Sequence, residues 1–229
     1  MTTLLSRREM LAFAAGAGLS SAWAAEAWTE GKHYFRLPQP LPPAQPGVVA
    51  VTEIFSYGCP ACNAFLPYME SLEKKLPPKA VAEYLPASWI AAESWPLFQR
   101  AYVTAKALGV ARKAHTAMFA AIWQTGELAI ADPKTGRTRS TPPSIQDVAR
   151  FYERVTAVPA AKFIETSRSF SVETEMKRDD SLIKSCLAES TPTIVVAGKY
   201  RMEPRLAGSG EQAVALALWL VQQEQKQKA

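Results

Sequence analysis

An α/β fold interrupted by a block of helices is predicted by three observations in this 229-residue chain. Residues 48–55 are apolar and β-rich, turn at Ser56-Tyr57-Gly58 and pass into a helical pattern opening on Cys59-Pro60-Ala61-Cys62. Helical periodicity then dominates between residues 93 and 188. Strand signals return only at 193–197 and 200–202, joined by a Gly198-Lys199 hairpin turn, before one last helix.

In chain order, residues 1–25 read as an export signal. Arg7 and Arg8 precede a short apolar run, and Ala22-Trp23-Ala24 is a small-x-small cleavage site. Ser6-Arg7-Arg8-Glu9-Met10-Leu11 also resembles a twin-arginine motif. Glycines and serines interrupt the run, which is too short for a membrane span. Removing residues 1–24, with Arg7, Arg8 and Glu9, lowers the formal charge from +5 to +4. The cations are scattered among acids without an aromatic-lined basic stripe, so nucleic acid is not an expected partner.

Residues 30–37 form a possible edge strand, and the proline-rich stretch 38–46 excludes central strand or helix. The helix after Cys59 carries Phe65, Leu66, Met69, Leu72 and Leu76 at helical spacing, tolerates Pro60 in its first turn, and should kink at Pro67. A second strand is expected at 80–85. Helices are expected from Leu97 to near Gly109, around Met118 to Gly126, at 145–155, at 160–168 and at 172–187, with a polar loop over 127–144. The last helix runs from about 210 to 221, and the Gln/Lys tail from Gln222 should be solvated.

The chemistry concentrates at Cys59 and Cys62. Two thiols separated by two residues can close a disulfide with little backbone movement, and Cys59 caps a helix whose N-terminal N–H groups and dipole favour a thiolate. A four-residue loop restrains little unfolded-chain entropy, so a structural staple is a poor reading. A metal site would need further ligands, and only Cys186, His33 and His115 are available as soft donors. Cys186, among Leu182, Ile183 and Leu187, reads as a buried apolar residue, and His115 as a satisfied helix histidine. Strand, turn and helix opening on C-x-x-C make a thioredoxin-like redox arrangement, here split by a helical insertion. Its parts are expected at 26–92 and 189–229, with the insertion at 93–188.

Taken together, residues 30–40 (EGKHYFRLPQP), 53–62 (EIFSYGCPAC), the helical insertion and 191–200 (TPTIVVAGKY) resemble the DsbA family of periplasmic thiol:disulfide oxidoreductases. The resemblance spans nearly all of the mature chain. It implies that Pro192 is cis and packs beside the cysteines, and that Thr191 pairs through its backbone with an extended substrate segment. It also implies that Glu53 is a buried acid moving protons at the inner cysteine, although the residue alone reads equally well as a charged position near a strand edge. Tyr57, Pro60 and Ala61 are expected to touch substrate. Tyr57, with Trp89 and Trp95, either lines an apolar rim for unfolded chains or belongs to the core.

The expected activity is the introduction of disulfides into reduced secreted proteins in the periplasm, by a monomer without bound cofactor or metal that a DsbB-like membrane partner reoxidises. Ala61 departs from the family's Pro-His between the cysteines and supplies no cation or donor beside the thiolate. The Cys59 pKa is therefore expected between the ~3.5 of DsbA and the ~7 of thioredoxin. A disulfide reductase or isomerase, and a chaperone-like module with an inert disulfide, are the competing readings.

Overall fold

A computed structural model describes residues 28–43, 45–132, 135–137 and 139–227. The predicted export signal lies outside them. The strands are β1 (Phe35–Arg36), β2 (Val49–Phe55), β3 (Ala80–Pro86), β4 (Thr193–Val196) and β5 (Tyr200–Met202), in the sheet order β1-β5-β4-β2-β3. β2 and β3 are parallel, and the other pairings are antiparallel. β2 is therefore an interior strand, paired on both sides, which suits its nearly continuous burial. Only two residues of the expected 30–37 edge strand join the sheet, and Glu30 forms an isolated bridge to Tyr34.

Helix α1 (Pro60–Lys75) follows β2 and supplies the crossover to parallel β3. It runs through Pro67, whose missing N–H falls on the exposed side. Between β3 and β4 lie α2 (Trp95–Ala107), α3 (Ala111–Trp123), α4 (Ile145–Thr156), α5 (Ala160–Ser167) and α6 (Phe170–Ser185). A short 3₁₀ turn at Ala91–Glu93 precedes α2. Ser144 and Asp147 close a capping box at the start of α4, which explains why that helix is sharply bounded after the polar loop. The structure is an α/β thioredoxin-like fold with a helical insertion. One hydrophobic core joins the sheet to the helices. Its aromatic centre is the Phe55 ring at the end of β2, whose centroid lies 5.0–6.1 Å from those of Tyr57, Tyr84, Tyr102, His115 and Phe119.

The expected solvated tail is corrected. α7 spans Gly210–Lys226, five residues beyond the last of its predicted stretch. The cause is Glu224, whose carboxylate is fully buried and meets Lys199 Nζ at 2.6 Å and Tyr200 Oη at 3.0 Å. A Gln/Lys-rich composition conceals one acid that pairs with the β4–β5 hairpin. No helix among the described residues is long and apolar enough to cross a membrane.

Candidate active site

β2 delivers the chain to the site through the turn Ser56-Tyr57-Gly58-Cys59, closed by Cys59 N–H donating to Ser56 O at 3.1 Å. Cys59 is the N-cap of α1, with extended backbone (φ −88°, ψ 118°), and its sulfur accepts the Cys62 N–H at 3.4 Å. Both cysteines are free thiols in this structure. Cys59 is 5% exposed and Cys62 is completely buried, while Pro60 and Ala61 stand in solvent.

The two thiols are pushed in opposite directions. The Cys62 thiol, donating to the Cys59 sulfur, holds the Cys59 pKa down to about 6; burial opposes this, and hydrogen bonds from Thr191 and the Cys62 and Ala61 backbones reinforce it. Burial raises the Cys62 thiol well above the ordinary range, and the Cys59 sulfur that accepts its proton adds to the effect. At neutral pH the pair is a thiolate over a thiol, the state needed for exchange.

Thr191 and Pro192 arrive from the other end of the chain, just before β4. Their peptide bond is cis, and Cys59 Sγ lies 3.5 Å from the Thr191 carbonyl oxygen, which accepts from the thiol when it is protonated. Glu53 faces Tyr84 across the β2–β3 register and is 2% exposed, which removes the strand-edge reading. Its Oε1 has no hydrogen-bond partner, and burial, then the Cys59 charge, raises its pKa well above the carboxylate range.

Tyr57 is corrected as a substrate-touching side chain. It is 1% exposed, because its ring enters the Phe55 aromatic cluster and its Oη lies 3.0 Å from His115 Nδ1. The apolar rim falls instead to Trp89 and Trp123, 42% and 38% exposed, while Trp95 is buried and stacks on Trp89. His115 is buried with Nε2 unpartnered, and desolvation lowers its pKa to about 3, so it is neutral. Cys186 caps α6, is buried, and has its pKa raised to about 11 by desolvation. Two contacts around the site, made by Trp123 and by Trp95, were not legible in the sequence. Trp123 Nε1 donates to Tyr57 O at 2.9 Å, and the Trp95 ring occupies the space where a side chain on Gly58 would stand. Both bridge long sequence separations, and no local spacing signals either.

The comparisons with known proteins decide the family. The thiol:disulfide interchange protein DsbA of Pseudomonas aeruginosa is 32% identical over 215 residues, covering 94% of this chain and 93% of that protein. The chain belongs to the DsbA family. The DsbA of Azotobacter vinelandii is likewise 32% identical, over 85% of this chain and 83% of its own. Among solved structures, P. aeruginosa DsbA superposes with a TM-score of 0.74 at 31% identity, covering 89% of this chain and 98% of that one. The Xylella fastidiosa DsbA gives 0.74 at 28% identity, over 86% and 97%. No family model matches the chain. With the cysteine geometry above, membership makes the protein a thiol:disulfide oxidoreductase of the DsbA family, acting through Cys59 and Cys62.

Proposed function

We propose that this DsbA-family protein oxidises pairs of thiols in exported proteins in the periplasm and is returned to its disulfide form by a DsbB-like membrane partner. The observation that carries the reading is the opposed tuning of the two thiols, with Cys59 held near 6 and Cys62 raised by burial. A stabilised thiolate stabilises the reduced pair, and that makes the disulfide an electron acceptor.

In the oxidised protein a substrate thiolate attacks Cys59 Sγ. The Cys59–Cys62 bond breaks and Cys62 leaves with the electron pair. A sulfur with so high a proton affinity is a poor leaving group, and Glu53, whose burial raises its pKa and favours the protonated carboxyl, supplies the proton it needs. A second substrate thiolate then attacks the substrate sulfur of the mixed disulfide and expels the Cys59 thiolate. Two substrate thiols have become a disulfide, and the pair has gained two electrons. Thr191, with its carbonyl beside Cys59, aligns an extended substrate segment by strand pairing next to Pro192, while Pro60 and Ala61 lie under the approaching chain. The oxidoreductase core comprises residues 26–92 and 189–229, with the helices of 93–188 flanking it.

Ala61 favours a second reading, a weaker oxidant or a reductase, because it adds no donor to the thiolate. Equilibration of the mature protein with glutathione buffers, followed by alkylation and mass spectrometry, separates the two. A potential near ~−120 mV establishes a disulfide donor, whereas one at or below ~−270 mV rejects the oxidase and leaves a reductase fed by a membrane donor.

A further inference from the structure

The turn that carries Cys59 is held by groups distant in sequence. Its central peptide joins Tyr57 to Gly58, and both polar ends of that peptide are occupied. The Tyr57 carbonyl accepts the indole N–H of Trp123, from the end of α3, at 2.9 Å. The Gly58 N–H donates to Ser56 Oγ at 3.1 Å. Gly58 does not adopt a positive φ, which excludes the type II orientation of the central peptide. Turning the peptide over would break both hydrogen bonds at once.

Packing fixes the same peptide from the side. A Cβ on Gly58 would lie 2.8 Å from Trp95 Cδ1 and Nε1 and 3.1 Å from the Glu93 carbonyl, so the glycine is required for the close approach of the indole. Tyr57 is also anchored by its own side chain through the 3.0 Å contact of its Oη with His115 Nδ1, again from α3. Of the two anchors that α3 supplies, the Trp123 bond acts on the main chain leading to the reactive sulfur. Its ring is 38% exposed, so the N–H could be solvated by water; it is turned inward onto one carbonyl instead.

We propose that Trp123 is a positioning residue for thiol–disulfide exchange, its indole N–H locking the Tyr57–Gly58 peptide so that Cys59 is held at the N-cap of α1 with its sulfur on the Cys62 N–H. The inference rests on exchange at Cys59, not on its direction. Through Trp123 the helical block sets the geometry of the reactive sulfur, which lies on the other part of the fold. Loosening the turn lets Cys59 leave the capping geometry, weakens the Cys62 N–H contact, and returns the thiol toward ordinary behaviour.

The test is Trp123→Phe, which keeps a ring and removes the donor, read by thiolate absorbance against pH and by the glutathione equilibrium at pH 8. The expected result is a Cys59 midpoint raised by about one unit and a roughly tenfold shift of the equilibrium toward the disulfide. Ser56→Ala, which frees the other end of the peptide, should shift both in the same direction. The double variant should shift them by less than the sum, because the two bonds hold one peptide. Folded Trp123→Phe and Ser56→Ala proteins with wild-type midpoints overturn the proposal. The unsubstituted protein gives an independent reading: the Trp123 indole proton should be protected from hydrogen exchange despite the exposed ring, and exchange at the rate of free indole overturns the proposal as well. A wild-type pair that never equilibrates with glutathione would sink thiol exchange itself, a result the indole measurement does not depend on.

Discussion

Lys199 Nζ lies 2.6 Å from Glu224 Oε2, so the last helix is fastened to the β4–β5 hairpin by an ion pair whose acid is fully buried and whose base is one-third exposed. Tyr200 donates to the other carboxylate oxygen at 3.0 Å. Removing the acid leaves an ammonium that can still reach water, so Glu224→Ala should cost about 2 kcal/mol rather than the full cost of a stranded buried charge. Tyr200→Phe should cost about 1 kcal/mol. Urea unfolding measures both, and the glutathione equilibrium should stay at the wild-type value, since neither residue touches the cysteines.

The potential should bend with pH where Cys59 titrates. Its pKa is depressed to about 6, so below that pH reduction takes up two protons with two electrons and the potential falls by about 59 mV per pH unit. Above about 6 the sulfur remains a thiolate, one proton is taken up, and the slope should halve to about 30 mV per unit. The stability this thiolate gives the reduced form is fully present above the unfolded thiol pKa and is lost as pH falls through about 6. A single slope from pH 4 to 9 would contradict the thiolate assignment.

Asp179 gives an opposite pH dependence. It lies buried on α6 with Oδ2 unpartnered, and desolvation raises its pKa to about 7. A carboxyl raised in the folded state gives stability that is complete below its unfolded pKa and is lost as pH rises through the folded one. Asp179→Asn should therefore match the wild type near pH 3.5 and exceed it by a few kcal/mol at pH 8. Chemical denaturation at the two pH values decides it.

Replacing Ala61 with histidine should place a donor beside the Cys59 thiolate. Each unit by which the thiolate pKa falls should raise the potential by about 30 mV, making the disulfide more oxidising. Direct titration of the Ala61→His protein and its glutathione equilibrium should move together; a lowered pKa without a raised potential would break the link between thiolate stabilisation and oxidising power.

Glu53→Gln should slow exchange without removing it, because the step affected is protonation of the departing Cys62. Stopped-flow oxidation of a dithiol peptide should show the rate loss, because burial raises the Glu53 pKa and favours the protonated acid that Gln cannot replace. Equal rates in the two proteins would remove Glu53 from the proton path.

The sequence by itself determined the parts that depend on local order. β2, the turn, the cysteine pair at a helix start, the helical block and the returning strands are all written in periodicities and breakers that act within a few residues. Cys59 as an N-cap follows from the spacing alone. Tertiary structure decided what depends on residues far apart. Glu53 is buried because β2 is an interior strand flanked by both β3 and β4. Tyr57 faces inward because α3 brings His115 and Trp123 to it across 58 and 66 positions. Thr191 reaches Cys59 across 132. The Gln/Lys tail is helical because one acid within it finds a lysine and a tyrosine 25 and 24 positions back. Such pairings have no period along the chain: each one exists only after the core has closed and desolvation has made its hydrogen bond costly to leave unmade.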